Sequence, residues 1–417
     1  MESGNHDDIT VMFVTANVGT LFEMADVMMN LWIKEFIQAV ALRRPQLIAL
    51  HCQELGGKKA TRTTMEQTSQ FARQLLERAE LAEYDRVRIF LDENFRSMDT
   101  FTALGSAYFA HQSLRTVQLW DYAVGDYVDV VGRDMILFAP DEPAPPQHTS
   151  IHKVRFPIDH HPLAKGSRKG FTRTRWRING TPMDLVNIHL FYDEDNLVAM
   201  ETSPSQYTDA RAWGLRHCID SFQADGPAGV PFFIFGDFNF RLDVHDVVKK
   251  LTENGIRQDV LVNGVDPADT TPPRARVCFV ENDDLNKLIL TIEKKTFDHH
   301  DKHDYVFQVD NGKWLRNFDH ELTDFGPELT EMEINFPPSY PYEEDMDRGK
   351  FYMKTRCPAW CDRIVMNAAG RHLLATHHAA VVRPEYDLIG ASVCMGDHKV
   401  LALGIFLLTL TNFRKYF

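Results

Sequence analysis

The chain opens with apolar runs that alternate with segments of helical periodicity. Residues 9–18 and 46–53 are largely apolar and predict two buried strands. Residues 24–42 and 65–81 carry apolar side chains at helical spacing and predict two helices. Strands and helices in this alternating order favour an α/β fold.

The remainder of the chain is richer in strand-like runs, which indicates a sheet with antiparallel parts. The predicted strands cover 86–91, 103–109, 117–137, 171–178, 183–190, 231–237, 362–367, 375–382 and 399–410. Helices are predicted at 205–222 and 284–295, and loops at 139–163 and 298–344. No internal repeat and no clear linker divides the chain, so we expect a single domain over residues 1–417.

Composition narrows the class of protein. Of the 417 residues 44% are hydrophobic, which is enough to bury a large core. The formal net charge of −14 disfavours nucleic acid as the main partner but leaves room for a small anion in a local basic pocket. The six cysteines are too sparse for a disulfide framework, so reduced thiols in the cytosol are expected. We find no signal-peptide pattern, and the longest apolar run, 400–411, is too short to span a membrane.

Polar side chains follow the apolar strands at several points where a strand ends. The residues in question are Asn17, Glu54, His189, Asp237 and Asn239. Any one of them alone is more typical of a strand end at the surface. Five together favour a functional site built on loops beside a rigid sheet.

The segment 235–243, FGDFNFRLD, is the densest of these strand ends. Asp237 and Asn239 are two residues apart, so they share one face of an extended chain. A carboxylate and an amide on one face could activate a water molecule and hold a phosphoryl oxygen. The alternative for this segment is an ordinary turn rich in Asp and Asn.

Two further clusters lie near the end of the chain. Residues 356–364, RCPAWCDRI, contain two cysteines four apart, but no second pair or nearby histidine completes a zinc site. Asp362 and Arg363 in this cluster need partners if they are buried. Asp397 and His398 precede the last predicted strand, where a charged imidazole could donate to a phosphate, although such a pair is usually a surface turn.

Basic residues are concentrated in residues 165–177, which hold six of them and no acidic residue. Arg173, Arg175 and Arg177 share one strand face, which on spacing alone is typical of a solvated surface but also suits a polyphosphate. The acidic, histidine-rich run 298–304 has metal-like composition, and we interpret it as a solvated loop.

Segments 233–241 (FIFGDFNFR) and 358–364 (PAWCDRI) together resemble the two signature motifs of the inositol polyphosphate 5-phosphatases. The similarity runs from Ile9 to Leu408 and is strongest to the type I branch. The shorter segments that follow the family in order are 15–19, 51–57, 168–171, 186–190, 336–342 and 395–399. The resemblance implies an α/β fold of the endonuclease/exonuclease/phosphatase superfamily, a four-layer sandwich of two stacked mixed β-sheets flanked by α-helices.

The resemblance also implies a set of site residues. Glu54 resembles the Mg²⁺ ligand, with Asn17 beside it, in keeping with the preference of that ion for oxygen. The residues implied in catalysis are Asp237, Asn239, His398, Asp362, His189 and Asp397. The residues implied in gripping substrate phosphates are Lys169, Tyr342, Lys354, Arg356 and Arg363.

Individual catalytic roles follow from the same resemblance. Asp237 would orient and deprotonate the attacking water, and Asn239 would hold a phosphoryl oxygen. His398, kept charged by Asp362, would donate to the scissile phosphate, which His189 would also contact. Asp397 would support the metal side.

The type I branch implies hydrolysis of the 5-phosphate of soluble inositol 1,4,5-trisphosphate and 1,3,4,5-tetrakisphosphate, which ends calcium signals. Its members typically end in a prenylated CaaX box. This sequence has no cysteine after Cys394, so attachment at the plasma membrane stays open beside the cytoplasmic location that we expect. The oligomeric state is not predicted.

Three other functions compete with this hypothesis. The first is a 5-phosphatase that acts on membrane phosphoinositides through apolar loops near the site. The second is a DNA-repair endonuclease or a sphingomyelinase on the same fold, which the acidity and the motif 358–364 disfavour. The third is a catalytically dead scaffold, which is disfavoured because every implied catalytic position carries a competent residue.

Overall fold

The structure, a computed structural model, describes residues 8–97, 99–138, 149–157, 168–223, 229–262, 274–374 and 384–407. The α-helices are α1 Gly19–Glu23, α2 Ala25–Arg43, α3 Arg62–Glu77, α4 Asn196–Ala199, α5 Thr208–Gln223, α6 Val244–Leu251, α7 His303–Gln308 and α8 Ala368–Leu373. Short 3-10 helices span Ala79–Leu81, Val309–Phe318 and Thr323–Phe325.

The strands form three sheets. They are β1 Ile9–Asn17, β2 Leu47–Gln53, β3 Arg86–Asp92, β4 Gly105–Ala110, β5 Val117–Asp121, β6 Asp126–Asp129, β7 Arg133–Phe138, β8 His152–Arg155, β9 Gly170–Ile178, β10 Thr181–His189, β11 Phe232–Asp237, β12 Gly255–Val262, β13 Arg274–Glu281, β14 Leu288–Glu293, β15 Thr296–His299, β16 Thr330–Glu331, β17 Asp362–Met366, β18 Glu385–Ile389 and β19 Val400–Leu407. The first sheet has the order β18-β19-β1-β2-β4-β3-β7, and the second has β16-β17-β11-β10-β9-β5-β6 with β8 beside β9.

Strand β1 is apolar at nearly every position because it is buried on both faces. Successive side chains of a strand point to opposite faces. Val11 and Phe13 therefore enter the core between the two large sheets, while Met12 and Val14 enter a second core shared with helices α2 and α3. A strand buried on both faces loses the polar alternation that a surface strand shows.

The second sheet has the same construction around β11. Phe233 and Phe235 face the central core, and Phe13 of the first sheet lies 4.7 Å and 5.2 Å from their ring centroids. Ile234 faces the other way and packs with Leu215 of α5. Helices, sheet, sheet and helix thus form four layers, which confirms the predicted α/β sandwich of two mixed sheets.

The third sheet, with the order β12-β13-β14-β15, is an antiparallel addition that the sequence analysis did not predict. The helix predicted at 284–295 is wrong, because this segment contains strand β14. Leu290 and Ile292 are fully buried while their neighbours are partly exposed. That period of two, carried by residues that favour strands, is the pattern of a half-buried strand.

Three other predicted segments differ from the structure. The loop predicted at 298–344 contains α7 and a 3-10 helix, which place Phe307 and Leu315 in the central core. The run 117–137 forms three strands in two sheets. The loop predicted at 139–163 contains β8, and the strand predicted at 375–382 lies outside the described residues.

All six cysteines are buried and unpaired. Among the described ranges, no helix is long and apolar enough to cross a membrane.

Candidate active site

The strand ends that carry polar residues meet at one end of the sandwich. Parallel strands β10 and β11 place His189 opposite Asp237, and antiparallel β17 places Asp362 on the other side of Asp237. Strand β1 belongs to the facing sheet, yet its last residue, Asn17, donates from Nδ2 to Asp237 Oδ2 at 3.1 Å. Both sheets therefore contribute to one site.

Asp237 is the centre of this site and is almost completely buried. Its Oδ2 lies 3.2 Å from His189 Nε2 and 3.9 Å from His398 Nε2, and its Oδ1 accepts from Asn239 N at 2.8 Å. Burial opposes the charged form, but the positive charges of His398 and Lys169 and the contact with His189 outweigh it and hold the pKa of Asp237 well below its usual range. The carboxylate is a permanently ionised hydrogen-bond acceptor.

His398 is held in its charged form by the carboxylates around it. Its Nδ1 lies 2.9 Å from Asp362 Oδ2, which also accepts from Ser339 Oγ at 2.7 Å. Burial alone would lower the pKa of His398, but Asp362, Asp237 and Asp397 raise it to about 10. The ring is therefore an imidazolium at neutral pH and can donate to an anion.

Asp237, Asp362 and His398 offer ligand atoms that all lie within 4.8 Å of one another, which is close enough to share a metal ion. A protonated imidazole has no lone pair for a metal. The charged state of His398 therefore favours a hydrogen-bonding role for its imidazole over metal binding.

Glu54 lies directly after β2 and contacts the cluster through His189. Its side chain is 23% exposed, and its Oε1 lies 4.0 Å from His189 Nε2. Burial raises its pKa, but the charges of Lys169, His189 and Arg168 together lower it below the ordinary value. The side chain is therefore an anion with access to solvent.

The backbone around Glu54 and Asn239 is unusual. Glu54 has a φ of 57° and Asn239 a φ of 51°, a left-handed conformation that is uncommon for residues with a side chain. Gly19 leaves space for Glu54, because a Cβ at this position would lie 2.5 Å from Glu54 Oε2. Such conformations persist where the surrounding structure imposes them, and they are concentrated at functional sites.

Asp397 and Lys169 flank the cluster. Asp397 is half-buried and accepts from Thr20 Oγ1 at 3.0 Å, and its desolvation raises its pKa. Lys169 places its Nζ against His189 Nε2 and over the ring of Tyr192, 5.4 Å from the centroid. Burial lowers the pKa of Lys169 to about 8, and burial with the nearby Lys169 charge lowers that of His189.

The structure does not bring every predicted phosphate-gripping residue to this cluster. Arg363 is buried, and its guanidinium donates hydrogen bonds to the carboxylates of Glu331 at 2.7 Å and Asp319 at 3.1 Å. It follows Asp362 directly in β17, so the two side chains point to opposite faces of the strand. That alternation was visible in the sequence and places Arg363 away from the site.

Tyr342 and Lys354 also have partners outside the cluster. Tyr342 is buried, and its hydroxyl donates to Tyr352 Oη at 3.3 Å. Lys354 is 53% exposed and pairs with Asp298 at 2.9 Å. Their predicted phosphate contacts are therefore not formed in this structure.

Arg356 lies nearer, beside the loop that follows β10. Its guanidinium donates to Asn196 Oδ1 at 3.0 Å and to the carbonyl of Asp193 at 3.1 Å. The nearby charge of Arg241 contributes to lowering its pKa, after burial. It is thus part of the basic surroundings of the site.

Two arginines of the basic stripe on β9 are buried and not solvated. Arg175 is buried, pairs with Asp184 at 2.6 Å and lies over the ring of Trp120. Arg173 is fully buried and lies 3.8 Å from the same carboxylate. These charges are compensated within the protein.

The sequence analysis missed four residues that shape the site. Thr20 and Ser339 hold the carboxylates of Asp397 and Asp362. The ring of Tyr340 lies 4.5 Å from that of His398, and Arg241 donates to Asn239. All except Thr20 lie within segments already noted as motifs, so the segments were the signal, and the tertiary contacts supplied the roles.

The fold and the site define a phosphatase of the endonuclease/exonuclease/phosphatase class. A family model described as Endonuclease/Exonuclease/phosphatase family 2 matches residues 274–399. Human inositol polyphosphate-5-phosphatase A is 43% identical over 393 residues, which cover 94% of this chain and 92% of the human protein. A probable type I inositol 1,4,5-trisphosphate 5-phosphatase of Caenorhabditis elegans is 32% identical, over 95% of this chain and 99% of that protein.

The chain therefore belongs to the inositol polyphosphate 5-phosphatase family. Among solved structures, the inositol polyphosphate 5-phosphatase domain of SPsynaptojanin, in complex with inositol (1,4)-bisphosphate and a calcium ion, is 12% identical with a TM-score of 0.48. The match covers 97% of this chain and 85% of that domain. A likeness this distant carries no argument about substrate or metal.

Proposed function

We propose that this chain is a single catalytic domain that hydrolyses the 5-phosphate of soluble inositol 1,4,5-trisphosphate, and of the 1,3,4,5-tetrakisphosphate, with Mg²⁺ as cofactor. The observation that carries the proposal is the position of Asp237 between Asn17, His189 and His398. An ionised carboxylate beside an imidazolium suits the attack of water on a phosphate dianion. The names of the two relatives support the choice of substrate.

The residues near Glu54 fit a magnesium ion. Glu54 offers an ionised carboxylate with access to solvent. Asn17 offers an amide oxygen that accepts one hydrogen bond, from Gly19 N at 3.0 Å, and keeps a second lone pair. Hard oxygen donors are the ligands that Mg²⁺ prefers, and when bound the ion would neutralise charge on the phosphoryl oxygens.

Asp237 would orient the attacking water. Its oxygens are already aligned by Asn17 Nδ2 and Asn239 N, so no reorganisation is required when water binds. Its low pKa keeps it ionised at neutral pH, so it accepts a hydrogen bond from the water and orients it, and the proton passes to it only as the new P–O bond forms. Phosphoryl transfer depends more on this positioning than on covalent chemistry.

The donors would stabilise the negative charge of the transferred phosphoryl group. His398, charged through Asp362, would donate from Nε2, and Lys169 from Nζ. Removal of one such donor typically costs roughly 3 kcal/mol of transition-state stabilisation. Arg356 lies at the basic side of the pocket, where a neighbouring phosphate of the inositol ring would bind.

The test is release of phosphate from inositol 1,4,5-trisphosphate by the pure protein, with Mg²⁺ and with EDTA, followed by identification of the product. A 1,4-bisphosphate formed only with Mg²⁺ supports reaction, position and cofactor together. A membrane phosphoinositide in liposomes serves as the second substrate. Equal turnover of that lipid would overturn the preference for soluble substrates, and no release from the trisphosphate would overturn the proposal.

A further inference from the structure

Arg241 lies at the wall of the site, two residues after Asn239. It is 5% exposed, and its guanidinium stacks over the ring of Tyr340, 4.7 Å from the centroid. The same ring lies 4.5 Å from the imidazole of His398. Arg241 and His398 thus lie against the same aromatic ring beside the reacting centre.

The positive charge of Arg241 has no carboxylate partner in the described ranges. Its Nε and Nη1 are buried and donate to no partner among the described residues, and its Nη2 donates to an amide oxygen. Glu321 accepts from the backbone N of Arg241 at 3.1 Å, but its carboxylate is engaged by Arg211. Asp193, the carboxylate whose charge acts on Arg241, is likewise paired with Arg211.

This situation sets Arg241 apart from the other buried arginines that the structure describes. Arg175 pairs with Asp184, Arg211 with Glu321, and Arg363 with Glu331. Arg173 lies 3.8 Å from Asp184. A guanidinium does not lose its proton in proteins, so Arg241 keeps a buried charge that has no carboxylate in direct contact and that an anion bound nearby would complement.

Arg241 also fixes the orientation of the Asn239 amide. Its Nη2 donates to Asn239 Oδ1 at 2.7 Å, while Asn239 Nδ2 donates to the carbonyl of Leu190 at 3.0 Å. A flipped amide would place a donor against a donor and an acceptor against an acceptor, so a single orientation is favoured. The oxygen of Asn239 is occupied, and its nitrogen keeps one hydrogen for a substrate oxygen.

We propose that Arg241 is a positioning residue that supplies a permanent counter-charge for the substrate phosphate and, through Asn239, orients a donor towards it. The ligand class is a phosphate dianion, and the inference rests on the proposed function for its biological substrate. The charge acts through the buried surroundings, where electrostatic interactions are weakly screened. Arg241 itself need not touch the phosphate.

The test is binding of inorganic phosphate to the Mg²⁺-loaded protein, followed by calorimetry and by the phosphate-induced rise in Tm. Wild type is compared with Arg241→Met, which keeps the bulk and removes the charge, and with Arg241→Lys, which keeps the charge. Arg175→Met is the matched control. It removes an equally buried arginine on β9, roughly 16 Å along the strand from the site.

We expect Arg241→Met to bind phosphate about tenfold more weakly, a factor that corresponds to ~1.4 kcal/mol. Arg241→Lys should regain most of the affinity because the charge returns. Arg175→Met should lower Tm, because it removes both hydrogen bonds that Arg175 makes to the buried Asp184, while phosphate affinity stays at the wild-type value. Wild-type phosphate affinity in folded Arg241→Met, or equal weakening in the Met and Lys variants, would overturn the proposal.

Kinetics separate this inference from the proposed function. With inositol 1,4,5-trisphosphate, Arg241→Met should lower kcat/KM, and its loss should be smaller in Arg241→Lys. A wild-type protein that releases no phosphate from the trisphosphate contradicts the proposed function. The phosphate-binding comparison does not depend on turnover, so it still decides the role of Arg241.

Discussion

His398 Nδ1 lies 2.9 Å from Asp362 Oδ2. His398 lies between β18 and β19 of the first sheet, and Asp362 is the first residue of β17 in the second sheet, so this contact joins the two sheets. It is one of the contacts that keep the imidazole charged beside Asp237. Ser339 donates to the same carboxylate oxygen and fixes its position. The charge state of the site thus depends on a contact between the two sheets.

Replacement of Asp362 by Asn should lower kcat by about 10²-fold, in the range of a lost general acid–base contribution. The amide removes the negative charge nearest to His398 Nδ1, so the pKa of His398 falls and the alkaline limit of activity moves to lower pH. A pH profile of kcat measures both effects. Ser339→Ala, which keeps the carboxylate, should change kcat less, and an unchanged profile in Asp362→Asn would rule out this role.

The stability of the protein should depend on pH through His398. Its pKa is raised from an ordinary value of 6.5 to about 10, so the folded state binds the proton more tightly than the unfolded state. The stabilising contribution is complete below pH 6.5 and decreases as the pH rises towards 10. We expect the free energy of unfolding of wild type, relative to His398→Asn, to fall across this interval in urea titrations. A constant difference would contradict the assigned charge.

Asp237→Asn should reduce turnover by at least ~10²-fold while the fold persists, because the amide does not accept a proton from water. The expected fold is checked by circular dichroism, and substrate binding by calorimetry with inositol 1,4,5-trisphosphate. Asp243→Asn is a suitable control, since Asp243 caps α6 and lies outside the cluster. Near-normal turnover of Asp237→Asn would remove Asp237 from the role of base.

Glu54→Gln should raise the Mg²⁺ concentration needed for half-maximal activity by about tenfold or more, because a charged oxygen ligand is replaced by a neutral one. The rise in Tm on addition of Mg²⁺ should shrink in parallel. Glu23→Gln, at a partly exposed carboxylate 4.0 Å from Lys58, is the control. Equal magnesium requirements in wild type and Glu54→Gln would place the ion elsewhere.

Arg363→Met should destabilise the protein by ~3–5 kcal/mol, since it leaves Glu331 and Asp319 as buried charges without their partner. Denaturant unfolding measures this loss. The fraction that stays folded at low temperature should keep a wild-type KM for inositol 1,4,5-trisphosphate. A raised KM without loss of stability would instead assign Arg363 to the substrate.

Much of the fold was predictable because a strand buried on both faces is apolar at nearly every position. β1, β2 and β11 follow this rule. β1 and β11 end in a polar residue of the site, and β2 is followed directly by one. The prediction of a helix at the position of β14 is wrong because a short apolar run with charged flanks fits both the helical period of 3.6 residues and the strand period of two. The buried positions Leu290 and Ile292 decided the outcome by packing into the central core.

The candidate site was predictable to a similar degree. The residue types at the strand ends and the signature segment 233–241 indicated Asp237 and Asn239 without coordinates, and the resemblance of segment 395–399 to the family indicated His398. The sequence did not distinguish arginines that could bind substrate from arginines that pair with buried carboxylates, because the residue type is the same in both cases. Arg175 and Arg363 meet carboxylates, and Arg241 does not.

The sequence by itself determined the α/β class and the chemical groups available at the strand ends, because hydrophobic periodicity and residue type are local properties. The four-layer sandwich was implied by the family resemblance and not by periodicity. Only the tertiary structure decided which groups act together. Asn17 and Asp237 are 220 residues apart, and His398 and Asp362 are 36 apart, yet each pair is in contact. Charge and pKa depend on such distances through space, and these are set by how the two sheets pack.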